Sequence, residues 1–119
     1  MTRKRNDTHS TEFGIWLRDQ KEIDSSAGYV ASNIDYIWEN YKTKDWMLIE
    51  EKRFMTNCPY SQKMQFKKIA EKLKMLNDKT YHGFHLLQFE NTNPDDGKIF
   101  LDGKEITKDL LLKFLRFEL

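Results

Sequence analysis

Four apolar residues, Trp46 to Ile49, run straight into Glu50, Glu51, Lys52 and Arg53, and this stretch, DWMLIEEKRF, constrains the fold more than any other. The apolar half fits a buried strand, bounded by the polar turn KTKD before it and by a charged end after it. Strand side chains alternate, so Trp46, Leu48, Glu50 and Lys52 share one face while Met47, Ile49, Glu51 and Arg53 share the other. Glu50 and Lys52 therefore finish a face whose earlier members are apolar. An acid and an amine in that half-buried position each need a partner.

The preceding segment NIDYIWENY, residues 33–41, is rich in β-branched and aromatic residues and reads as the other strand of a hairpin closed by KTKD. Fourteen residues separate Asp35 from Glu50, and a short turn brings the two carboxylates side by side. Upstream, Phe13, Trp16, Leu17 and Gln20 recur at spacings of three and four, predicting an amphipathic helix over 8–20 capped by Thr8 or Ser10. IDSSAGYVAS reads as a turn leading into a short strand. Downstream, Phe66, Ile69, Ala70, Leu73 and Leu76 make a helical stripe that Ser61 can cap. YHGFHLLQFEN is a further strand, IFLDGKEI a small hairpin around Asp102-Gly103, and TKDLLLKFLRFEL a helix capped by Thr107. The expected fold is a mixed α/β domain around one small central sheet.

At 119 residues the chain fits one domain over 8–119 behind a flexible basic arm, 1–7. Twenty Lys and Arg against 19 Asp and Glu leave partner choice to local charge, which is basic in MTRKR and over 61–76 and acidic over 90–109. A single cysteine, Cys58, excludes an intramolecular disulfide and the Cys pairs of most structural zinc sites. No apolar stretch reaches the roughly 18 residues of a membrane span and no apolar segment follows the basic start, so an intracellular, cytoplasmic location with no membrane partner is expected.

Two adjacent carboxylates repel and raise one another's pKa unless a cation lies between them. Mg²⁺ suits such a pair, because it takes oxygen ligands and keeps several waters, and Mn²⁺ is expected to substitute. A neighbouring lysine cannot bind the metal, but it can orient a water or stabilise charge developing on a phosphate. Asp35, Glu50 and Lys52 thus read as a metal-dependent site for phosphodiester hydrolysis.

Asp35, fourteen intervening residues, then Glu50-Glu51-Lys52, on neighbouring strands after an initial helix, resembles the PD-(D/E)XK nuclease superfamily. The resemblance covers roughly residues 8 to 90. It implies the restriction-endonuclease-like core of helix, three strands, helix and strand, here extended by the C-terminal hairpin and helix. It also implies Asp35 and Glu50 as metal ligands, the Glu51 carbonyl as a third, Lys52 as the catalytic lysine, and Glu12 reaching the metal from the first helix. Some branches place a glutamine on the helix after the lysine, which Gln62 matches better than Gln65. DNA is then the expected partner and Mg²⁺ the cofactor, and the chain also resembles the branch that resolves four-way junctions as homodimers; the final helix, apolar on most of its surface, either completes the core or pairs with a second copy, so a homodimer is an expectation as well. Ile34 stands where the motif has proline. The doubled glutamate leaves a second register, Glu51 with Arg53, on the opposite face.

Plainer readings stand beside these. EEKR can be a solvated strand end with gatekeeping charges, and Glu12 can simply meet the helix dipole. Lys63, Lys67 and Lys68 are the expected DNA contacts, although the solvent side of any amphipathic helix carries such lysines. His82 and His85, three apart, fall on opposite faces of a regular strand. His9 reads as a surface residue near Glu12, and Cys58, beside Pro59, as a partly buried turn residue. The functional alternative is a non-catalytic module on the same fold that binds DNA or protein.

Overall fold

The computed structural model describes residues 12–29 and 33–119. Two compact units, residues 1–32 and 33–119, hold separate sets of internal contacts. In the first, helix α1 spans Glu12–Asp19, with the rings of Phe13 and Trp16 stacked 6.0 Å apart. Two single 3₁₀ turns follow, Lys21–Ile23 and Ser25–Ala27. The Asp24 carboxylate accepts from the Ser26 and Ala27 amides and opens the second of them. The expected turn is therefore present, while the short strand after it falls on 30–32, outside the described residues. The basic arm, the Thr8 or Ser10 cap and His9 lie outside them as well.

The second unit is a five-stranded mixed sheet in the order β1-β2-β3-β4-β5. Its strands are β1 Tyr36–Glu39, β2 Trp46–Lys52, β3 Tyr81–Phe89, β4 Ile99–Leu101 and β5 Lys104–Ile106. Helix α2, Tyr60–Met75, connects β2 to β3, and α3, Lys108–Leu115, ends the chain. β2 pairs antiparallel with β1 and parallel with β3; the remaining pairs are antiparallel. The α/β class and the mixed sheet agree with the sequence. Among the described residues two strands, not three, precede α2.

Both faces of β2 are covered, which explains why Met47 to Ile49 form an unbroken apolar run rather than an alternating one. On one face, Phe66 of α2 packs its ring 4.4 Å from Phe84, beside Leu48, the residue that pairs with Phe84. On the other, Met47, Ile49, Leu87, Phe89 and Ile99 join Leu111 and Phe114 of α3 in one buried cluster. α3 thus completes the core, held at its start by Thr107, whose side chain accepts from the Leu110 amide. α2 departs from expectation at its start. Pro59, not Ser61, is its N-cap, without a side-chain cap bond; its carbonyl accepts from the Lys63 amide at 2.9 Å, and the residue before a proline is disfavoured in the helical region.

A bulge in β3 overturns the expected placement of the histidines. Trp46 pairs with Tyr81 but Leu48 with Phe84, so His82 and Gly83 together oppose Met47. Gly83 takes φ +101°, and a Cβ there would sit 3.3 Å from the His85 ring. The extra residue puts both histidines on the α3 side, His82 against Phe117 and His85 against Phe114, each pair 4.9 Å between rings.

His85 Nδ1 lies 2.7 Å from Asp102 Oδ2 and Nε2 lies 2.8 Å from the His82 carbonyl. A carbonyl and a carboxylate only accept, so both contacts are satisfied together when the ring is protonated and both its nitrogens donate. Asp102 Oδ1 also accepts from the Leu86 amide at 2.8 Å, which ties the β4–β5 turn to β3. Burial pulls the His85 pKa down, but Asp102 and the His82 carbonyl outweigh it and hold it above the ordinary imidazole value. The stabilisation is then full below about pH 6.5, the unfolded value, and fades as pH rises through the raised folded one. Asp102→Asn suits the φ of +52° at this position; its amide oxygen can keep the Leu86 bond, while the charge and the acceptor facing His85 are removed. It should lower the melting temperature most below about pH 6, with the two melting curves converging in alkali; a constant gap at all pH values would contradict this.

Candidate functional site

Tyr36 pairs with Ile49, so one step further along the same register Asp35 falls directly opposite Glu50. Two hydrogen bonds lock the pair across the strands. The Glu51 amide donates to Asp35 Oδ2 at 2.8 Å, and the Asp35 amide donates to Glu50 Oε1 at 3.3 Å. Each carboxylate is thereby held by the other residue's strand.

Glu50 is only 2% exposed, because it lies on the face covered by α2. Its second oxygen is shared by two donors, Lys52 Nζ at 3.0 Å and Gln62 Nε2 at 2.9 Å. Burial pushes the Glu50 pKa up and the Asp35 charge adds to that, while Lys52 pulls it back. Position in the fold is consistent with a site: Glu50 and Lys52 end β2, Gln62 lies in the first turn of α2, and the carboxyl ends of parallel strands are where α/β folds collect ligands.

Gln62 is oriented from three sides. Its Nε2 donates to Glu50 and to the Asn33 carbonyl at 3.3 Å, while its Oε1 accepts from the Cys58 thiol at 3.2 Å. Burial pushes the Cys58 thiol up, with Lys52 and Lys63 pulling it back, which keeps the S–H donor that Gln62 needs. The sequence reading missed Asn33 and Cys58 as parts of this cluster. The signal for Cys58 was its spacing of four residues from Gln62 across a helix start.

The alternative register exists too, on the opposite face. Arg53 Nε lies 3.3 Å from Glu51 Oε1, and the Tyr36 hydroxyl donates to Glu51 Oε2 at 3.3 Å. The Glu51 charge raises the Tyr36 pKa. Asp35 sits opposite Glu50, so the two pairs do different work.

The structure therefore brings together Asp35, Glu50, Lys52 and Gln62. Glu12 starts α1 in the first unit, whereas the cluster is drawn wholly from the second. Lys63, Lys67 and Lys68 are exposed on α2. Among the described residues no group of three or more His, Cys, Asp and Glu side chains gathers as a metal cage. The two carboxylates present still fit Mg²⁺, which is usually held by one or two carboxylates plus waters and substrate phosphates. No helix among the described residues is long and apolar enough to cross a membrane. Comparison with protein-family models, with curated proteins and with solved structures returns no match.

Gln62→Leu strips Glu50 of a neutral donor without adding charge, and should raise the Glu50 pKa further and destabilise the fold by about 1–3 kcal/mol. Cys58→Ser should preserve the arrangement and Cys58→Val should behave as a milder Gln62→Leu. Carboxyl-carbon NMR titration together with thermal melts measures both effects; a Glu50 titration unmoved in Gln62→Leu would contradict the arrangement.

Proposed function

We propose that the chain is a Mg²⁺-dependent nuclease of the PD-(D/E)XK type, hydrolysing phosphodiester bonds in DNA on a restriction-endonuclease-like core. The observation that carries this reading is the buried Glu50, paired across the strands with Asp35 and contacted by Lys52. Burying a carboxylate beside a second one is costly, and a divalent cation is the group that would balance both. Bound there, Mg²⁺ or Mn²⁺ would polarise a phosphate and lower the pKa of its water.

The chain's own residues supply the rest. Asp35 and Glu50 would hold the cation, with the Glu51 carbonyl and Glu12 as further ligands by resemblance. Lys52, already 3.0 Å from Glu50, would exchange that partner for the attacking water or the phosphoryl oxygens, where an ammonium stabilises growing negative charge. Gln62 keeps the Glu50 carboxylate aimed while this happens. Lys63, Lys67 and Lys68 would bind flanking phosphates. Assembly as a homodimer, by likeness to the junction-resolving branch, and an intracellular location belong to the same proposal.

The second reading, a non-catalytic DNA- or protein-binding module on the same fold, draws on one specific fact. Lys52 and Gln62 already satisfy Glu50, as in a structural ion pair.

Cleavage assays on supercoiled, linear, single-stranded and branched DNA with Mg²⁺, Mn²⁺ or EDTA separate the two. Metal-dependent cutting should vanish in Asp35→Ala and fall by about 10²–10³-fold or more in Lys52→Ala, with folding retained; cutting unaltered by Asp35→Ala rules out this site. Replacing Lys67 and Lys68 by Gln should weaken binding of uncleaved DNA and flatten its salt dependence. A binding curve indifferent to salt removes α2 from the interface.

A further inference from the structure

The chain leaves β2 through Arg53, Phe54, Met55 and Thr56, immediately after Lys52. Phe54 and Met55 both take φ +54°, left-handed backbone that bulky residues rarely adopt and that glycine or asparagine accepts with far less strain. The conformation is firmly held. The Phe54 amide donates to the Asn91 carbonyl and the Met55 amide to the Phe89 carbonyl, both at 2.9 Å, and Gln88 Nε2 donates to the Thr56 carbonyl at 3.1 Å. A turn pinned this way to the end of β3 has no need of a large apolar side chain. Yet Phe54 is 65% exposed and Met55 38%. Across the site in the chain, Tyr60 opens α2 two residues before Gln62 and is 77% exposed.

We propose that Phe54 and Tyr60 are stacking platforms for unpaired bases flanking the Asp35–Glu50–Lys52 cluster, so that the site takes a single strand, or a strand splayed from a duplex end. The inference rests on the nuclease reading and narrows its substrate. In a duplex the bases stack on one another, and a ring reaches their faces only by unstacking a step at a cost of a few kcal/mol, whereas unpaired bases offer a face to an exposed aromatic ring without that cost. Strained backbone at a functional position is stored where the side chain it presents is needed. The occupant's charge is set by α2, whose Lys63 and Lys67 are exposed on the same helix that Tyr60 begins and complement a phosphate backbone. Stacking is indifferent to base identity, so little sequence preference is expected.

The test is binding of a fluorescently labelled single-stranded oligonucleotide and of its duplex, in EDTA so that no cleavage intervenes, by wild type, Phe54→Asn and Tyr60→Ala. Phe54→Asn suits the left-handed backbone and should melt at or above the wild-type temperature. Each variant should lose about 5- to 100-fold in affinity for the single strand, with duplex binding unchanged. Undiminished single-strand binding in both variants overturns the proposal, as does an equal loss on duplex. So does a change in oligomeric state in Phe54→Asn without a change in single-strand affinity, which would make the exposed ring a contact between copies. Cleavage by the same variants separates this inference from its foundation. Single-strand binding through Phe54 and Tyr60 by a protein that never cuts would remove the nuclease and keep the platforms; unaltered cutting of single strands by both variants would do the reverse.

Discussion

The α2 side of the sheet accommodates a carboxylate that the fold has buried. Glu50, two residues before the end of β2, is 2% exposed, and the groups around it make that tolerable. Lys52 supplies charge, Gln62 a neutral donor, and the Asp35 amide a third contact. An unpaired ion in such a place would cost several kcal/mol. An apolar residue would satisfy the same position far more simply. A charge buried there, beside a second one at Asp35, is the feature on which the proposed function rests.

That burial is itself a product of the sheet order. β2 lies between β1 and β3, with α2 against one of its faces and α3 against the other. The antiparallel partner brings Asp35 across, and the parallel partner requires the crossover whose helix carries Gln62. Three consecutive stretches of chain therefore meet at one strand end because β2 pairs antiparallel on one side and parallel on the other.

The strand, its apolar centre and its charged end were legible in DWMLIEEKRF, since alternation alone puts Glu50 and Lys52 on one face. The pairing of Asp35 with Glu50 followed from the length of the turn. Less legible were features that depend on one backbone torsion. The Gly83 bulge moved His82 to the same side as His85, and nothing in the period of two announces an inserted residue. The left-handed pair Phe54-Met55 was hidden for a related reason: neither residue favours that conformation, so only the bonds to Phe89 and Asn91 reveal it. The role of Cys58 was missed because a thiol's use as a donor depends on where Gln62 points, which is a tertiary fact.

The proposed nuclease reading requires the buried Glu50 charge to hold a divalent cation. Titration of Mn²⁺ into the protein, followed by electron paramagnetic resonance, tests it without reference to any substrate. Wild type should bind Mn²⁺ saturably, with Mg²⁺ displacing it, and binding should be lost in both Asp35→Asn and Glu50→Gln. Mn²⁺ binding that is absent, or that persists equally in both variants, would contradict it and leave Glu50 and Lys52 as a structural ion pair.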